Sequence, residues 1–225
     1  MDDGRVARQT RQEALSRVAV SDLHRLVASR RMVRAFEPTP IDRALLTQLV
    51  DTASRSPSAG KTQGWSLVVL EGASTETFWS ATMTAETRST FRWQHLFAAP
   101  VIALSFADPQ AYLDRYAESD KKKTGLGAST SAWPTPYWTV DASFATMTLL
   151  LAAHDAGLGA LFFGVFRGER ELRTALSIPD SLQLIGALAL GYERSSTDNE
   201  PAFTAGASAR RPRASVDQIV HYNAW

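Results

Sequence analysis

The sequence predicts an α+β protein with a central sheet flanked by helices, and three observations predict it. Apolar residues recur at helical spacing in several stretches. In "IDRALLTQLVDTAS", Leu45, Leu46, Leu49, Val50 and Ala53 share one face. Four short apolar runs, "WSLVVLEG", "VIALSFA", "LGALFFGVF" and "LQLIGALALGYE", read as buried strands. The two kinds of segment interleave without strict alternation, which suggests α+β rather than a regular α/β repeat.

Taken in order, residues 1–20 are polar and weakly patterned and read as an N-terminal extension to a single domain over 21–225. Ser21 is placed to cap a helix over "DLHRLVASR", where Leu23, Leu26 and Val27 fall on one side. The arginine-bearing "RRMVRAF" and the extended "EPTP" follow, and Ile41 opens the second helix. The small, polar "SPSAGKTQGW" (56–65) then leads into the first strand, which ends at Gly72. Residues 74–99 look mostly helical and stop at Pro100. After the second strand, "PQAYLDRYAE" predicts a helix. From Ser119 to about Pro136 the periodicity disappears, and 119–138 reads as a lid or pocket loop. "VDASFATMTLLLAAHDAG" is a helix apolar nearly all round, which suits a central position or a subunit interface, and Gly157 ends it. The third strand, a short helix over "RGERELRTALS", the fourth strand, a tail over 201–215 and the closing "VDQIVHYNAW" complete the chain.

Composition limits the chemistry. With 225 residues, 44% of them hydrophobic, the chain can bury a sizeable core without staples. It has no cysteine, so disulfides, thiolate metal sites and a cysteine nucleophile are excluded. A net charge of +1 gives no argument for nucleic acid. No apolar run reaches the ~18 residues of a membrane span and the N-terminus lacks a signal-peptide core, so a cytoplasmic protein without a membrane partner is expected. The four histidines (24, 95, 154 and 221) show no metal-ligand spacing, and no metal is expected. There is no G-x-S-x-G elbow and no P-loop. "GLGALFFG" has its glycines before a strand instead of between strand and helix, so it is no dinucleotide fingerprint. No side chain reads as a catalytic nucleophile or base, which leaves the chemistry to a cofactor.

Two stretches fit a polar, flat, phosphorylated ligand. Arg30, Arg31 and Arg34 offer rigid donor forks suited to phosphate, although a solvated helix end reads the same way. Arg210, Arg211 and Arg213 form a second set in the tail. In "SPSAGKTQGW", Ser58, Ala59 and Gly60 are small enough for main-chain amides to approach a ring, and Gln63 can donate and accept. Trp65 reads as a core anchor for the strand.

These stretches, in this order, resemble the FMN-dependent nitroreductase family. In that family an R-R-S-x-R-x-F segment precedes a helix, an S-P-S-x-x-N-x-Q-P-W loop and a strand. Here the corresponding residues are "RRMVRAF" and "SPSAGKTQGW", continued by "VDASFATMTLLLAAHDAGLGALFFGVF", "LIGALALGYE" and "RRPRASVDQIVHYNAW", with 73–139 matching loosely. The resemblance implies a nitroreductase-like fold, an intertwined homodimer and FMN at each interface. It implies a ping-pong reaction from NAD(P)H through the flavin to a small-molecule oxidant such as a nitroaromatic or quinone. The same scaffold also serves flavin-dependent oxidases of a peptide or specialised metabolite, and an FMN-binding protein without turnover is a third reading.

Position by position, the resemblance puts Arg30 and Arg34 on the FMN phosphate and ribityl chain, with Arg31 beside them and Met32 in place of a frequent serine. It puts Ser58, Gly60 and Gln63 beside the ring and Gly164 and Val165 near its N5. Arg211 becomes a C-terminal phosphate contact, with Arg210 as the alternative register. Lys61 replaces the usual asparagine, and either reaches the pyrimidine edge or turns to solvent; Gly64 replaces the proline before Trp65. Trp133, Tyr137 and Trp138 are the pocket candidates, either stacking on substrate or packing.

Overall fold

The computed structural model describes residues 21–195 and 211–225. The predicted extension over 1–20, most of the tail and Arg210 lie outside the described residues. Residues from Arg194 onward form a separate unit. Within it, a single turn over Val216–Ile219 is capped by Ser215, whose amide donates to Gln218 Oε1 at 2.9 Å.

The main unit is built on four strands: β1 (Trp65–Glu71), β2 (Val101–Ala107), β3 (Gly159–Phe163) and β4 (Gln183–Gly191). Their order is β1-β2-β4-β3, and every neighbouring pair is antiparallel. Met32 adds a parallel bridge to Ala160 at the β3 edge, with the Val33 amide donating to the Ala160 carbonyl at 2.9 Å. The expected mixed or mainly antiparallel sheet is therefore observed. All seven β2 residues are buried, as a strand covered on both faces must be.

Helices α1 (Asp22–Ser29), α2 (Arg43–Ser54), α3 (Thr75–Thr82), α4 (Ala85–Ser89), α5 (Pro109–Ala117), α6 (Tyr137–Asp155) and α7 (Glu169–Leu176) surround the sheet. Ser21 Oγ accepts the His24 amide at 3.1 Å, so the predicted N-cap forms. Alternate faces of the strands supply two cores. On one face Leu46, Leu49 and Ala53 of α2 pack with Leu149, Leu150 and Ala153 of α6. On the other, Phe78 and Trp79 of α3 pack with Leu172 of α7, Ile102 and Leu104.

Two boundaries differ from the sequence reading. Helix α6 starts at Tyr137, three residues before the apolar run that predicts it, because the chain turns helical directly after Pro136. The 119–138 segment also has more order than its lost periodicity implies. Single 3-10 turns form over Lys122–Thr124 and Thr130–Ala132. Trp133 (8% exposed) and Trp138 (7%) lie in a third apolar cluster with Tyr112.

Candidate functional site

The segment after α1 runs along the β3 edge and carries the arginines. Arg30 lines a cavity of about 160 Å³ together with His154, Gly157 and Gly159. Its Nε and Nη1 are buried and have no hydrogen-bond partner. A buried guanidinium without acceptors is costly unless an anion joins it. Arg31 is occupied differently: its Nη2 donates to Glu193 Oε2 at 2.5 Å at the surface. Arg34 donates from Nη1 to the Met32 carbonyl at 3.1 Å and lies 5.1 Å from the centre of the Trp93 ring. The Met32 side chain packs against both cores.

The 56–64 loop is locally strained. Gly60, Lys61 and Gln63 all have φ between 55° and 61°. That region suits glycine but is uncommon for lysine and glutamine, and such residues persist where the surroundings over-determine them. The surroundings are visible. The Gln63 amide donates to Ser58 Oγ (3.0 Å), Arg115 Nε to the Gly60 carbonyl (2.8 Å), and the Ala59 amide to Asp141 Oδ2 (2.7 Å). A Cβ on Gly60 would stand 3.0 Å from the Tyr116 ring, and one on Gly64 2.8 Å from the Tyr112 ring. Gly64 therefore fills the family's proline position for a local reason. The Lys61 and Gln63 side chains are exposed.

Asp141, Tyr112 and Arg115 escaped the sequence reading. Asp141 is 6% exposed and accepts from Tyr112 Oη at 2.7 Å as well as from Ala59. Burial, reinforced by the Asp141 carboxylate, raises the Tyr112 phenol well above its ordinary range, so it stays a donor. The available signal was a carboxylate in the first half of a largely apolar helix. Trp65 is an anchor, as read: its Nε1 donates to Ser105 Oγ at 2.9 Å, and Ser105 meets Thr146 of α6 at 2.8 Å.

Gly164, exposed, and Val165, half-buried, leave the end of β3 and line a larger aromatic cavity with Trp79, Trp93 and Phe166. Trp133 and Trp138 are in neither place. Trp133 Nε1 donates to the Leu126 carbonyl and Trp138 Nε1 to Gln183 Oε1, while Tyr137 is largely exposed.

The chain thus brings together the 30–34 segment, β3 and residues 164–165, but not the 56–64 loop. That loop enters β1 at the sheet end where Gly164 leaves β3. Three strand spacings, about 14 Å, separate them. Asp141 beneath the loop and His154 beside Arg30 stand 13 residues apart on α6, about 20 Å.

A four-stranded antiparallel sheet with a long apolar helix, an edge arginine segment and a strained glycine loop defines an oxidoreductase scaffold of the nitroreductase type. Residues 27–192 match the nitroreductase family model, and the chain belongs to the nitroreductase family. An NADH dehydrogenase of Thermus thermophilus is 27% identical over 187 residues, covering 77% of this chain and 87% of that protein. A nitroreductase-like protein of Streptococcus mutans superposes with a TM-score of 0.68 at 17% identity, covering 89% of this chain and 97% of the other. An FMN-dependent nitroreductase of Clostridium difficile gives 0.59 at 19% identity, covering 89% and 98%. Among the described residues no helix is long and apolar enough to cross a membrane, and no cluster of acidic or histidine side chains could hold a metal.

Proposed function

We propose that the protein is a cytoplasmic, homodimeric, FMN-dependent NAD(P)H oxidoreductase that reduces nitroaromatic or quinone-type acceptors. The observation that carries this reading is the half-buried Arg30 guanidinium, whose Nε and Nη1 are buried without partners beside a cavity of about 160 Å³. A phosphate supplies the acceptors that the protein does not. FMN, when bound, would supply the two-electron relay between NAD(P)H and acceptor in ping-pong order.

The residues fit that cofactor. Arg30 would hold the phosphate, with Arg34 four residues along the same edge and Arg211 or Arg210 from the C-terminal segment. The exposed backbone at Gly164 and Val165 would meet the ring. Ser58, Gly60 and Gln63 would border it, their conformation set by Asp141 and Arg115. Lys61 belongs to the same loop, and its ammonium is assigned to solvent because its side chain is exposed.

A shared site follows from the spacing. The loop and residues 164–165 stand about 14 Å apart across the sheet of one chain, so a second copy would bring its loop to the ring held at the first copy's Gly164 and Val165. Tyr137, Phe144 and Met147 leave an apolar stripe on α6, with Phe144 48% exposed, and a second copy would cover it.

Titrating FMN into the protein tests the reading. One FMN per subunit at micromolar concentration or tighter is expected. A colourless protein that takes up no FMN at that concentration overturns the cofactor assignment.

A further inference from the structure

We infer that the aromatic cavity behind residues 163–167 is the acceptor site, and that it selects a flat aromatic molecule carrying a negative charge. This names the acceptor class within the reading above and rests on that reading.

Size comes first. The cavity holds about 390 Å³. A cavity of about 150 Å³ already admits benzene, so a substituted ring or a fused pair has room. Its walls are almost wholly apolar and largely aromatic: Phe78, Trp79, Met83, Phe91, Trp93 and Phe166 contribute. Phe91 and Trp93 meet edge to face at 5.5 Å, and Phe78 meets Phe163 at 5.8 Å. Such walls present both edges and faces to an inserted ring. Phe166 is 93% exposed, an apolar side chain left at the opening with nothing over it.

Polarity is sparse and one-sided. Trp79 is 2% exposed, and its Nε1 has no hydrogen-bond partner. One charged side chain lines the cavity, and it is positive. Arg167 lines the cavity, is exposed and makes no ion pair or hydrogen bond among the described residues. No aspartate or glutamate lines the cavity. An apolar slot with an unpaired arginine in its lining and no carboxylate there fits an aromatic anion better than a neutral or cationic ring.

Location ties the cavity to the reaction. Gly164 and Val165 line it, and they are the residues assigned above to the flavin ring. A nitroarene held there would take two electrons and two protons to give the nitroso compound and water. NAD(P)H, oxidised to NAD(P)+, supplies both electrons and one proton, and solvent supplies the other.

The test uses benzoate, a non-reducible probe, against the isosteric neutral benzamide. Each is titrated by calorimetry into the protein before and after FMN loading. Benzoate is expected to bind up to about fivefold more tightly than benzamide, the upper range for an ion pair at an exposed arginine. Arg167→Gln should abolish that preference, and Met83→Trp, which fills the cavity, should weaken both ligands. Equal affinities, a preference that survives Arg167→Gln, or benzoate binding lost on FMN loading would each overturn the inference. The last result would give the cavity to the flavin itself. A protein that binds no FMN yet keeps the benzoate preference overturns the flavoenzyme reading and leaves the anionic aromatic site standing.

Discussion

Tyr112 and Asp141 meet 2.7 Å apart inside the protein, and the carboxylate oxygen that accepts the phenol also accepts the Ala59 amide at 2.7 Å. One buried carboxylate thus ties α5 and α6 to the strained 56–64 loop. Asp141→Ala removes both bonds and strands a buried phenol. Hydrogen bonds to a charged group contribute about 1.5–3 kcal/mol each, so a loss of about 3 kcal/mol is expected after allowing for non-additivity. Tyr112→Phe should cost about half of that, since the Ala59 bond survives. Urea midpoints at constant slope check the pair.

Arg30 carries the opposite signature. Its half-buried guanidinium contributes no hydrogen bond through Nε or Nη1 to the unliganded fold, so Arg30→Ala should leave the flavin-free melting temperature unchanged or raise it. The same change should weaken FMN binding by about 10- to 100-fold. Arg31→Ala should do the reverse, costing at most about 1 kcal/mol through its surface pair with Glu193 and changing FMN affinity far less. Thermal melts with and without FMN separate the two arginines.

The interface has its own test. Phe144 projects from the α6 stripe and is largely exposed in the single chain, so Phe144→Lys should fold. It should also sediment as a monomer and lose FMN affinity together with dimerisation, because the loop would arrive from the partner. A monomer that keeps wild-type FMN affinity would place the whole site in one chain.

Acid sensitivity is expected at the α3–α4 contact. Arg88, through a two-point hydrogen bond, and then Ser80 hold the Glu76 carboxyl down at about 2 against an ordinary 4.5. A depressed carboxylate stabilises the fold fully above its unfolded value, and that contribution is lost as pH falls from about 4.5 towards 2. Glu76 is 54% exposed, so solvent screening limits the effect to a fraction of a kcal/mol. Stability curves of wild type and Glu76→Gln should differ at neutral pH, draw together below about pH 4.5 and meet near pH 2.

Much of the fold was legible because burial imposes pattern. β2 is covered on both faces and reads as an unbroken apolar run, and α2 shows one apolar stripe that packs where its spacing predicts. The start of α6 was hidden because Trp133, Pro134 and Pro136 break the periodicity just before it. The tryptophans themselves misdirect: large rings in an unpatterned stretch look like pocket walls, yet Trp133 and Trp138 are held inward by Leu126 and Gln183. Asp141 could not be found by spacing, since its partners Tyr112 and Ala59 are 29 and 82 residues away. The aromatic cavity draws Phe78, Phe91 and Trp93 from 73–139, where no local motif marks them.

The central claim is that this chain passes electrons from a nicotinamide to an acceptor through bound FMN. Anaerobic addition of NADH or NADPH to the FMN-loaded protein, with the visible flavin absorbance followed by stopped flow, tests it most directly. Rapid, stoichiometric bleaching is expected, with recovery of the colour when a nitroaromatic or quinone is added. Flavin that stays oxidised under excess of either nicotinamide would contradict it and leave a protein that binds FMN without turning over.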